Sequence, residues 1–162
     1  MFADTPFRNF VEIMSRHLSN NPYAVYLFEE IDKASVEVLD QLYFMMDEGI
    51  FYDAAQRPLF ARGAYILMTT NAGQDIIIRE RDNPKLPELV NVELQKSFRA
   101  SFLNRFDAIS IFKPFTRAEF VQLAQTLVLK KAKKMKEFFN YEVSTNQQVY
   151  EYLAAYGSSA KF

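Results

Sequence analysis

The chain has 162 residues, 49% of them hydrophobic and 24% charged, the composition of a folded domain rather than a disordered segment. Its formal net charge is −1, with one histidine and no cysteine. That balance gives no electrostatic case for nucleic acid or an anionic membrane, excludes disulfides and thiolate metal sites, and argues against histidine-based metal or triad chemistry. No apolar run approaches the ~20 residues that span a bilayer. The first ten residues also lack a signal peptide's basic region and apolar core.

Phe7 to Leu18 reads as a helix, with Phe10, Ile13, Met14 and Leu18 on one face. Asn20-Asn21-Pro22 ends it. Ala24 to Phe28 reads as a buried parallel strand, followed at once by Glu29 and Glu30. Ser35 is the expected N-cap of a second helix striped by Val38, Leu39, Leu42, Met45 and Met46, with Gly49 as its stop. Phe51 to Gly63 reads as an exposed loop or hairpin. Ala64 to Thr70 is a second strand, broken by Asn71-Ala72-Gly73. A short helix and a mobile charged loop follow to Pro87. Glu88 to Arg99 is expected as helix, Ser101 to Asn104 as a further short turn, and Ala108 to Phe112 as a third strand. Thr116 to Glu119 forms a capping box before a long helix to about Phe139, and a last helix runs from about Thr145 to Tyr156, with Gly157 after it. Strands alternate with helices to Lys113 and only helices follow. This predicts a parallel α/β sheet over residues 1–114 and a small helical appendage over 115–162.

Three strand ends carry candidate chemistry. Glu29 and Glu30 are adjacent, so one carboxylate can reach a metal while the other reaches a water molecule. Two solvated glutamates opening a loop fit the same pattern. Asn71 ends the second strand and would place its amide near Glu30, where an uncharged group orients water; a turn-forming asparagine is the local alternative. Arg105 lies between aromatic anchors and is placed to project across a subunit boundary; the alternative is an ion pair with Asp107 or a nearby glutamate. The expectation is that all three converge around one rim of the sheet. Lys130, Lys131, Lys133, Lys134 and Lys136 form a basic cluster, read as a solvated helix face or, for a nucleic-acid motor, a phosphate-binding one.

In this order and spacing the segments resemble the AAA+ ATPases, more narrowly the second ATPase module of Clp-type unfoldases and disaggregases. NPY followed by AVYLFEEIDKA resembles the Walker B segment of that family. LDQLYFMMDEGIFYDAAQRPLFARGAYILMTTNAG resembles the following helix, second pore loop and sensor-1 strand. FRASFLNRFDAISIFKPFTRAEF resembles the arginine-finger segment and the entrance to the helical lid. The resemblance implies a partial AAA+ parallel sheet without its P-loop strand, then part of a lid domain.

It further implies that Glu30 is the catalytic glutamate, Asn71 is sensor 1 and Arg105 is the trans-acting finger. Glu29 stands where the family has its Mg²⁺-associated aspartate. Phe51, Tyr52, Asp53, Gln56 and Arg57 fall in the pore loop that grips substrate polypeptide. ATP and Mg²⁺ are the implied cofactors of the intact protein. Its implied partners are protein substrates, identical subunits in a hexameric ring, and a peptidase or adaptor, without membrane or nucleic acid. The implied location is the cytoplasm. Asp53-Ala54-Ala55-Gln56 stands where the family has an aspartate-glycine pair, and Ala100-Ser101 replaces a Pro-Glu pair. The G-x-x-x-x-G-K-[ST] phosphate loop and the sensor-2 arginine are not in the sequence, so the chain is expected to be a fragment that does not hydrolyse ATP alone. Removing the P-loop strand is expected to leave sheet edges that invite pairing with another chain. With Glu29 in place of aspartate, the competing implication is a catalytically degenerate module that assembles rings.

Overall fold

The computed structural model describes residues 5–159 and divides the chain into two compact units, residues 1–112 and 113–162. The first opens with helix α1 (Thr5–Asn20) and strand β1 (Val25–Phe28). A short 3-10 turn (Ile31–Lys33) leads into α2 (Val36–Glu48). The hairpin β2 (Ile50–Tyr52) and β3 (Pro58–Phe60) comes next, then β4 (Tyr65–Met68), α3 (Gln74–Arg79), α4 (Leu86–Ser97) and the single turn α5 (Ala100–Leu103).

β1 and β4 are parallel, with Val25 opposite Tyr65 and Phe28 opposite Met68. Tyr26, Phe28, Ile66 and Met68 pack on a core built from Val11, Met14, Leu18, Leu42, Met45, Phe51, Val90, Leu94 and Phe102. Val11, not Ile13, completes the buried stripe of α1; Ile13 is half exposed. Fully burying each large apolar side chain stabilises the unit by ~1.5–3 kcal/mol, and Phe51, Leu42, Met45 and Leu86 are the largest that do so.

Three expectations need correction. β1 is buried on one face only, because Val25, Leu27, Tyr65 and Leu67 on the other face are all more than half exposed. The residues are apolar on both faces, as suits a covered sheet, but among the described residues nothing covers the second face. Ala108 to Phe112 is not a strand. Its side chains favour extended backbone, yet a strand exists only where a neighbour completes its ladder, and among the described residues none does. Of the loop or hairpin expected over residues 51–63 the hairpin is formed, but it is not exposed throughout: Phe51 is fully buried and Asp53 is 7% exposed, leaving Ala54 to Arg57 as the open tip.

Local signals explain the ends of α2. Ser35 takes the N-cap position with extended backbone but no side-chain cap bond, and Gly49 closes the helix with φ 69°. A Cβ at Gly49 would lie 2.3 Å from Arg62 Cγ, so both conformation and space require glycine there. The charged link after α3 is braced: Asn83 Nδ2 donates to Glu80 Oε2 (2.9 Å) and Lys85 N to Asn83 Oδ1 (2.9 Å).

The second unit is a helical hairpin, α6 (Arg117–Phe139) and α7 (Gln147–Ser159). The expected capping box is present: Glu119 N donates to Thr116 Oγ1 (3.2 Å) and Thr116 N to Glu119 Oε2 (2.6 Å). Asn140, at φ 55°, ends α6. α7 continues through Gly157 instead of stopping before it. Among the lysines of α6, Lys133 pairs with Glu137 along the helix and Lys136 with Glu142 just past its end, both as exposed pairs of a solvated surface. No helix among the described residues is long and apolar enough to cross a membrane.

Candidate functional site

The site is made where β1 and β4 end side by side. Thr69 N donates to Phe28 O (2.9 Å) and Ile31 N to Thr69 O (3.0 Å), extending the ladder past both strands. Glu30 N donates to Thr69 Oγ1 (3.1 Å). Glu30 itself sits in the left-handed region, φ 54°. For a side chain such as glutamate that conformation costs on the order of 1–3 kcal/mol, and buried Ile31 just beyond it anchors the turn.

This turn folds the Glu30 carboxylate onto two donors. Asn71 Nδ2 donates to Oε1 at 3.2 Å. Lys33 Nζ donates to Oε2 at 2.7 Å. The expected meeting of Glu30 and Asn71 is therefore present. The ammonium of Lys33 is held above its ordinary pKa by that hydrogen bond and by the charge of Glu30. Glu29, exposed, makes no hydrogen bond or ion pair among the described residues.

Asp32 is a site residue that the sequence reading did not single out. Its Oδ1 accepts from Thr70 Oγ1 (2.7 Å) and from Asn71 N (3.1 Å). Thr70 Oγ1 in turn accepts from Ala72 N (3.0 Å). These bonds fix the backbone that carries the Asn71 amide. The Thr70 hydroxyl, chiefly, holds the Asp32 carboxyl below the usual carboxylate range. An available signal was the match of polar types: Thr69-Thr70-Asn71 ends one strand and Glu30-Ile31-Asp32 the other.

Arg105 lies elsewhere, which corrects the expectation of three groups on one rim. It occupies the turn after α5, not a strand tip, and pairs with neither Asp107 nor a glutamate. Its Nη2 is 2.8 Å from Asp47 Oδ1 and donates to Tyr43 Oη at 3.4 Å. Its Cζ stands 5.6 Å from the Tyr43 ring centroid. A groove of about 750 Å³ beside it is lined by Asp47, Arg62, Tyr65, Leu67 and Ala108, on the side where β4 begins rather than where Asn71 follows it.

The hairpin tip is organised by Asp53. Oδ1 accepts from Ala55 N and Arg57 N (both 2.8 Å), and Oδ2 accepts from Arg57 Nε (2.7 Å). These bonds, the Arg57 main-chain one first, hold its carboxyl below the usual range. Gln56 adopts φ 59° in the same turn.

An open α/β layer with an acid and an amide in contact beyond the carboxyl ends of parallel strands presents its ligand edge where such folds bind phosphorylated ligands. Residues 12–109 match the AAA domain (Cdc48 subfamily), and the chain belongs to that family. It is 30% identical over 149 residues to the chaperone protein ClpB of Malacoplasma penetrans, covering 92% of this chain and 20% of that protein. It is 29% identical over 155 residues to heat shock protein hsp98 of Neurospora crassa, covering 92% of this chain and 17% of the relative. The chain thus spans about a fifth of the length of the curated relatives it matches. Among solved structures it resembles S. cerevisiae Hsp104 in an extended complex with casein, with TM-score 0.73, 28% identity, and coverage of 89% of this chain and 26% of that one. A closed-state Hsp104 structure gives TM-score 0.76 at 27% identity, covering 90% of this chain and 26% of that one. The partial AAA+ sheet with a helical appendage is therefore the fold.

Proposed function

We propose that the chain is part of an ATP-driven protein unfoldase or disaggregase of the Clp type. One observation carries this reading: the 3.2 Å contact between Asn71 Nδ2 and Glu30 Oε1 at the ends of two parallel strands. Glu30 accepts the proton of the attacking water, and Asn71 holds that water in line. Arg105 stabilises charge on the phosphoryl group bound by a neighbouring subunit, so ATP sits between subunits of a homohexameric ring. Its separation from the Glu30 edge supports action on a neighbour rather than on its own subunit's nucleotide.

ATP bound with Mg²⁺ supplies the transferable phosphoryl group and a cation that neutralises its charge. Among the described residues no cluster of three acids or histidines could cage an ion. A single free carboxylate, Glu29, suits magnesium, which takes one or two carboxylates together with phosphate oxygens and water.

The polypeptide-gripping surface narrows to the exposed tip of the β2–β3 hairpin, Gln56 and Arg57, with Tyr52 at its base. The casein bound by the yeast relative supports an unfolded polypeptide as substrate. A peptidase or adaptor partner and a cytoplasmic location complete the proposal. The test is ATP turnover by the protein that contains this chain, with and without casein. Turnover stimulated several-fold by casein, and reduced by Gln56→Ala/Arg57→Ala, is expected; turnover indifferent to casein and to both substitutions contradicts it.

A second reading is a ring-assembling module without hydrolysis. The 2.7 Å Lys33–Glu30 pair favours it, because it occupies the carboxylate oxygen that Asn71 leaves open. Hexamers that bind ATP without releasing phosphate would be its signature.

A further inference from the structure

We infer that Tyr43 and Asp47 form a cradle on α2 that positions Arg105 for its neighbour's phosphate, an inference that rests on the arginine-finger role proposed above. The two residues are four apart on a helix, so their side chains rise from one face. The phenol ring sits 5.6 Å from Arg105 Cζ, its hydroxyl accepts from Nη2, and the carboxylate of Asp47 lies 2.8 Å from the same nitrogen.

The backbone beneath Arg105 is fixed as well. Asn104 N donates to Ala100 O (3.0 Å) and Arg105 N to Phe102 O (3.1 Å), while Phe102 and Leu103, just before them in the chain, are buried in the core. A long arginine side chain loses much rotamer freedom when it is held. Here two partners on α2 have already removed part of it.

What separates a positioning contact from a closed ion pair is which donors are used. A guanidinium has five N–H groups in a rigid fork. Both polar contacts of Arg105 fall on Nη2. Among the described residues Nη1 and Nε have no hydrogen bond, and the side chain is 42% exposed against 28% for Asp47. The guanidinium is gripped at one corner, leaving the remaining donors to form paired bonds with phosphate oxygens. Tyr43 and Asp47 touch no reacting atom; they act through Arg105.

The test is steady-state ATPase kinetics of the assembled full-length protein carrying Asp47→Asn, Arg105→Ala, or both. Misplacing a catalytic group by about 1 Å costs ~10²-fold, so Asp47→Asn is expected to lower kcat about 10- to 100-fold, with KM within about 3-fold. Arg105→Ala should fall about 10³-fold or more, and the double substitution should fall no further. Asp47→Glu should recover part of the loss. Tyr43→Phe keeps the ring, deletes the hydroxyl and should lower kcat by about 2- to 5-fold, which tests the cradle even if Asp47→Asn prevents assembly. Wild-type kcat for both Asp47→Asn and Tyr43→Phe, with Arg105→Ala inactive, overturns the cradle and leaves the finger standing. A further drop in the double substitution also overturns it. Wild-type turnover by Arg105→Ala would overturn the finger role and the cradle with it.

Discussion

Replacing Asp32 with alanine removes the single acceptor shared by Thr70 Oγ1 and Asn71 N. Hydrogen bonds to a charged group contribute ~1.5–3 kcal/mol each, and neutral ones ~0.5–1.5. Both donors lie at an accessible rim where water replaces the carboxylate, so each bond is placed near ~1 kcal/mol and the pair near ~2 kcal/mol. For a protein of this size that is a fall of ~4–8 °C in melting temperature, followed by far-ultraviolet circular dichroism. The pH dependence has a definite sign. The folded carboxyl is held below its ordinary value, chiefly by the Thr70 hydroxyl. Its stabilisation is therefore complete above the ordinary carboxylate pKa of ~3.9 and is lost as pH falls through the lower, folded value. The gap between wild type and Asp32→Ala should close over that acid window. Asp32→Asn keeps an acceptor oxygen and should lose only part of the stability. Identical melting of wild type and Asp32→Ala at neutral pH, or a gap that persists below the folded titration, would refute the reasoning.

Phe51→Ala should cost ~3–5 kcal/mol because the side chain is fully buried, read as a lower urea midpoint. An unchanged midpoint would return Phe51 to the surface of the hairpin. Gln56→Gly should raise stability by ~0.5–1 kcal/mol, the relief of a left-handed residue less the extra chain entropy of glycine; destabilisation would show that the Gln56 side chain has a partner of its own. The bare apolar face of Val25, Leu27, Tyr65 and Leu67 should make the 162-residue chain self-associate in sedimentation experiments, weakened by Leu67→Lys. Monomeric sedimentation at every concentration would count against that.

Much of the site was legible because it lies at the ends of apolar runs. Glu30 and Asn71 each follow such a run, and a parallel pairing of the two runs sets their ends side by side. Asp32 is less visible: its partners Thr70 and Asn71 depend on the register that sets Val25 against Tyr65, which no local pattern specifies. Lys33 reaches Glu30 three residues before it through a turn in which Glu30 adopts φ 54°, a conformation that glutamate does not announce in the sequence. The sequence offers Arg105 a partner in its own segment, Asp107. Its partners lie instead on α2, where the four-residue spacing of Tyr43 and Asp47 is readable only once α5 is known to pack there. Ala108 to Phe112 shows the opposite failure. Its composition favours a strand, but pairing is a property of two segments, and no described neighbour supplies the second. The burial of Phe51 and Asp53 is not visible in the sequence, because it comes from the buried foot and internal brace that a hairpin with an exposed tip requires.

The most direct measurement is phosphate release by assembled rings of the full-length protein carrying Glu30→Gln, alongside nucleotide binding by the same rings. The amide keeps the shape and the Asn71 contact but cannot take a proton. Turnover should fall ~10²–10⁴-fold while ATP stays bound at near wild-type affinity. Phosphate release at the wild-type rate would contradict the account, because Glu30 would then not be the residue that receives the proton of the attacking water.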